Sequence, residues 1–158
     1  MMNRIYCALG KIMEVTQKIE LDIVDIIEQS EIIKEFGRHT NITQHDYDAV
    51  VDDAKYLKDK MEIMTFGQMI SIVYDSESLK SDEINELKAL LEKRNYFTHE
   101  YFKVTYFGDK PKEEFIVEEF EAIKEYLRKL TNMLKRLELI KNGQTERLKY
   151  LKTKNGIN

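Results

Sequence analysis

Apolar residues recur along the first 36 positions at the three- and four-residue spacing of an amphipathic helix. Ile5, Leu9, Ile12, Ile19, Ile23, Ile26, Ile27 and Ile33 share one side, and acids lie on the other. The spacing predicts one long helix over about residues 2–36. Gly37-Arg38-His39-Thr40-Asn41 interrupts it. A second helix is expected from about Gln44 to Met61. Thr65 is then placed to cap a shorter one carrying Phe66, Met69, Ile70 and Val73.

Asp75-Ser76-Glu77-Ser78 is a turn signal. Ser81, followed by Asp82, Glu83 and Ile84, opens the next helix with acids near the positive end of its dipole. This helix is expected to fade near Val104, and Tyr106 to Pro111 reads as a loop. A last helix covers about Glu113 to Ile140, through Phe115, Phe120, Ile123, Tyr126, Leu127, Leu130, Leu134 and Leu137. Beyond Asn142-Gly143 a short basic segment is expected to be helical or frayed.

These elements predict an all-α, single-domain, up-down bundle of four main helices plus a short one over residues 1–142. A basic C-terminal segment follows over residues 143–158. Composition agrees: one proline and six glycines leave few turns for an all-β fold, and 158 residues suffice for one core. Cys7 is the sole cysteine, so no intramolecular disulfide forms and a thiolate metal site is not expected. No apolar run approaches membrane-spanning length and no leader-like segment opens the chain, which points to a cytoplasmic protein without a membrane partner.

The net charge of −4 argues against indiscriminate nucleic-acid binding, but the charges are unevenly spread. Acids dominate residues 11–60, whereas Lys and Arg outnumber acids from residue 121 onward. That asymmetry permits a local basic surface for a polyanion, or simply a solvated helix face.

One helix breaks its own apolar pattern. With Arg94 taken as zero, Leu87 falls near +20°, Leu90 near −40° and Tyr101 near −20°, at about 100° per residue. Arg94 thus stands in the middle of a greasy face, with Thr98 beside it. Asn95 and His99 lie on its shoulder, near +100° and +140°. A guanidinium there needs a partner, because an unpaired desolvated charge costs several kcal/mol. Either an acid on a neighbouring helix pairs with it, or the strip lines a cleft or subunit interface open to an anion. Arginine offers a fixed fork for phosphate oxygens, and histidine exchanges protons near neutral pH. Together, without a metal, they suit RNA cleavage in which the ribose 2′-hydroxyl is the nucleophile.

Other chemistry is excluded more simply. His99-Glu100 does not begin a zinc-protease motif, because Lys103 stands where the second histidine belongs. His39 and His45 flank a polar loop without companion ligands. No glycine-rich phosphate loop or nucleophile elbow is present.

Arg94-Asn95-Tyr96-Phe97-Thr98-His99-Glu100-Tyr101 resembles the R-x4-H motif of the HEPN superfamily, and with Tyr101 the longer R-x4-H-x-Y pattern of HepT-type toxins. The resemblance implies a helical bundle that dimerises through the motif helix and brings two Arg/His pairs together. It implies metal-independent endoribonuclease activity, often as a toxin or anti-phage effector, with no cofactor. Arg94 would stabilise the phosphorane, Asn95 would orient groups in the cleft, and His99 would act as general acid or base. Thr98 and Lys103 are candidates to bind or support the substrate. Tyr101 matches the tyrosine that nucleotidyltransferase antitoxins modify with AMP in HepT-type systems. The alternative is a non-catalytic HEPN-like interaction or regulatory protein, with the same fold and Arg94 and His99 as polar glue.

Overall fold

In a computed structural model that describes residues 2–101 and 113–158, the first apolar stripe forms α1, Met2–Arg38. Then come α2 (Gln44–Glu62), α3 (Phe66–Ser76), α4 (Ser81–Asn95) and α5 (Glu113–Asn155). A π-helical turn, Tyr96–Glu100, extends α4. No strand occurs among the described residues. The expected end near Val104, the loop at 106–111 and Lys103 lie outside them.

Helix starts follow local chemistry. The Thr43 hydroxyl accepts from the Asp46 N–H while Asp46 accepts from the Thr43 N–H. Thr65 and Gln68 exchange the same pair of bonds ahead of α3, as the cap signal predicts. At α4 the cap position is Lys80, whose N–H donates to Glu83, and Ser81 is the first helical residue.

The helices alternate in direction around α1. Met13 and Glu20 of α1 meet Thr98 and Arg94 respectively, so α4 runs antiparallel to α1. Asp22 and Gln29 meet Lys141 and Thr145, so α5 runs parallel to it. The core lies between them. Ile5, Ile12, Ile19, Ile23 and Ile26 are at most 1% exposed, and each such burial contributes about 1.5–3 kcal/mol. They pack with Ile70 and Val73 of α3, Leu87 of α4 and Leu130 of α5. Polar ties fix the outer register: Lys58 of α2 donates to Asp25 and Glu28 at 3.0 Å, and Lys141 of α5 pairs with Asp22 and Asp25.

The last helix passes its expected end near Ile140, and of the two states expected for the basic segment beyond Gly143 it takes the helical one. It continues through Asn142-Gly143 for a further twelve residues to Asn155 (155 − 143 = 12). The reason is tertiary. Ile32 and Phe36 turn away from the main core and need cover, as do Ile42 and Ala54. Leu148, Leu151 and Ile157 provide it, so the extension is held by packing that no local propensity reveals. Gly156, at φ +67°, ends the helix: its N–H reaches the Thr153 carbonyl, and the Ile157 N–H reaches Lys152. This pair of bonds is a Schellman motif, with Ile157 as its apolar contact.

Two glycine substitutions should therefore act in opposite directions. A Cβ at Gly143 meets nothing within 4 Å, so Gly143→Ala should stabilise by about 0.5–1 kcal/mol through helix propensity. Gly156→Ala forces a left-handed alanine and should destabilise by about 1 kcal/mol. Urea unfolding of both variants checks this; a destabilising Gly143→Ala would mean that the helix breaks at 143.

Candidate functional site

Arg94 sits in the last turn of α4, where helix geometry aims it toward α1, and there Glu20 waits. Arg94 Nη2 lies 4.0 Å from Glu20 Oε1, and both side chains are about three-quarters buried (23% and 24% exposed). Nη1 donates to Asn95 Oδ1 at 3.1 Å. Nε is buried with no hydrogen-bond partner among the described residues. A buried donor left unmet in this way costs on the order of 1–3 kcal/mol.

Arg94, Asn95 and His99 line an open depression of about 660 Å³ between α4 and the start of α3, where Thr65, Phe66 and Gly67 form the far wall. Asn95 and His99 are exposed. The π turn helps to bring them together. In an uninterrupted α-helix His99 would stand about 140° from Arg94. A π turn closes on residue i+5, here with the Tyr101 N–H on the Tyr96 carbonyl, so each residue advances by less and the separation narrows.

Two groups stabilise this local geometry from behind. The Thr98 hydroxyl donates to the Arg94 carbonyl at 2.8 Å and lies 3.6 Å from Met13 Sδ. The sequence strip of Arg94, Asn95, Thr98 and His99 therefore divides. Thr98 is half-buried against α1 and supports the backbone; it does not line the groove. Tyr126, fully buried in α5, donates to the Leu90 carbonyl at 2.6 Å, one turn before Arg94. Its burial pushes the phenol pKa up, with Arg94 opposing slightly, so the hydroxyl keeps its proton and remains a donor.

Tyr101, which the resemblance matches to an AMP-modified tyrosine, lies on the apolar face where helical spacing puts it. It is 1% exposed and its ring packs 5.9 Å from Phe97, which stacks on Tyr126 at 5.2 Å. In this conformation it is a core residue, and AMP transfer to it would require the aromatic cluster to open. Lys103 lies outside the described residues.

Glu20 and Tyr126 are neighbours of the candidate site that the sequence did not single out. Tyr126 appeared only as one more apolar-stripe residue. Glu20 follows Ile19 on the flank of the α1 stripe, a faint sign that its carboxylate lies at the edge of the core. No group of His, Cys, Asp and Glu able to hold a metal occurs among the described residues, and no helix there is long and apolar enough to cross a membrane.

Burial raises the Glu20 carboxyl pKa above its usual 4.5, and the Arg94 charge opposes this only in part. The bound proton thus favours the folded state; its contribution is complete below 4.5 and is lost as pH rises through the folded value. Glu20→Gln removes that segment. Its stability relative to wild type should climb as pH rises from about 4.5 toward neutrality. Chemical denaturation at a series of pH values measures this, and a flat difference would mean that Glu20 is not desolvated.

No protein-family model, curated protein or solved structure matches this chain.

Proposed function

We propose that the chain is a metal-independent endoribonuclease of HEPN type, acting in the cytoplasm as a toxin or anti-phage effector. The observation that carries the reading is the shared groove: Arg94, Asn95 and His99 line one open depression. A phosphodiester placed there would meet the Arg94 fork while His99 reached a ribose hydroxyl. His99 removes the 2′-proton, the 2′-oxygen attacks the adjacent phosphorus, and Arg94 stabilises the crowded phosphorane. The 5′-oxygen leaves with a proton, giving a 2′,3′-cyclic phosphate and a free 5′-hydroxyl.

In an in-line attack the 2′-oxygen and the 5′-oxygen stand at opposite apices of the phosphorane, so the leaving oxygen is best served by a second proton donor. A homodimer pairing two grooves across a two-fold axis would supply two of each residue. Exposed Leu21 and Ile63, at 61% and 88%, are apolar surface of the kind such a contact would bury. A nucleotidyltransferase antitoxin is the partner class that the R-x4-H-x-Y resemblance suggests, although buried Tyr101 does not favour the modification itself. The Glu20–Arg94 pair favours the second reading, a non-catalytic HEPN-like interaction protein in which Arg94 is structural.

Labelled RNA incubated with the protein in excess chelator separates the two. Wild type should yield cyclic phosphate ends, and Arg94→Ala and His99→Ala should each lower the rate at least about 100-fold, in keeping with general acid–base and electrostatic contributions. Wild-type rates in either variant would remove that residue from the site, and no cleavage by wild type would leave the interaction protein.

A further inference from the structure

α4 borders a second groove on its other flank. Lys93 precedes Arg94 and therefore points about 100° away around the helix. With Arg128, Lys129 and Asn132 of α5 it edges a depression of about 440 Å³ between α4 and α5. Leu90 and the buried Tyr126 form the floor, with Lys93 Nζ 5.8 Å from the Tyr126 ring centre.

The acids beside this groove are already engaged. Glu125 pairs with Arg128 at 2.7 Å, and Glu86 with Arg136. Lys93 and Lys129 form no ion pair among the described residues, so the groove carries surplus positive charge. The Glu125 carboxyl registers it: the Arg128 hydrogen bond holds it below the usual range, and the charges of Lys129 and Lys93 add to the effect. A furrow between two packed helices, whose axes lie about 8–10 Å apart, admits a single strand and not a duplex. The Arg94–His99 groove lies directly across α4, which with its side chains is about 10–12 Å wide, a span that a few nucleotides cover.

We propose that the α4–α5 groove holds the flanking stretch of a single-stranded RNA whose scissile phosphate lies at Arg94 and His99, with Lys93 and Lys129 on backbone phosphates. The inference rests on the ribonuclease reading and adds to it a path and two substrate-binding residues.

The test measures binding of a short fluorescent single-stranded RNA by anisotropy, with His99→Ala as the parent so that no cleavage intervenes. Adding Lys93→Gln and Lys129→Gln should raise Kd about tenfold or more. It should also flatten the dependence of log K on log salt by about 1.4, or 0.7 per lost phosphate contact. A control pair, Lys149→Gln with Lys154→Gln near the end of α5, should change neither quantity appreciably. Unchanged affinity and slope in the groove variant overturn the inference, as does an equal loss in the control, which would mark diffuse attraction. Those results leave cleavage by wild type intact. Failure of the parent to bind RNA at all, with no cleavage by wild type, overturns the ribonuclease reading and this inference with it. Thermal unfolding of each variant verifies that the exposed substitutions leave the fold unchanged.

Discussion

Burial of the isoleucine stripe on α1 is the constraint from which the remaining geometry follows. α2, α3 and α5 all pack against this helix, and α4 meets it at Glu20 and Met13. A stripe this regular admits little axial sliding, because a shift of one residue rotates each contact by about 100°. Everything at a given level of α1 is thereby set at one height in the bundle. Glu20 reaches Arg94 at one level, and Asp22 reaches Lys141 one half-turn further along. The site is built on this register, although none of its groove-lining residues belongs to α1.

The same constraint explains why Arg94 is tolerated on an apolar face. It lies where α4 crosses the polar shoulder of α1, so its guanidinium is shielded without being sealed. Glu20 provides an opposite charge at a distance too long for a hydrogen bond, and Asn95 takes one donor. The charge is balanced, but its hydrogen-bonding capacity is not filled. A purely structural arginine would be expected to satisfy its fork more completely, since a half-satisfied buried polar group is costly. Both arrangements that the sequence left open bear on Arg94: it has an acid on a neighbouring helix and it also lines an open groove.

The π turn is the second device at the site. Tyr96–Glu100 contains neither proline nor glycine, and no local feature demands a wide turn. Its cost is offset by aromatic packing, since Phe97 and Tyr101 are both buried there and join Tyr126 in one cluster. The Thr98 hydroxyl steadies the backbone by capping the Arg94 carbonyl. Arg94 and His99, five residues apart, line one groove across this turn.

Much of this was legible from residue order alone. Periodicity located α1, the Thr65 cap marked α3, and the polar residues in the α4 stripe picked out Arg94, Asn95 and His99 as candidates. These depend on interactions within one or two turns, which sequence spacing records directly. Tertiary structure alone decided the rest. The continuation of α5 past Gly143 depends on covering Ile32 and Phe36, more than a hundred residues away in the chain. The choice of Glu20 as the partner of Arg94, the division of Thr98 from the groove and the burial of Tyr101 depend on how α1 and α5 pack against α4. Local preferences are worth tenths of a kcal/mol to about 1 kcal/mol per residue, whereas burying a large apolar side chain is worth about 1.5–3 kcal/mol. Where the two compete, long-range packing wins, and residue order alone does not show which surfaces will meet.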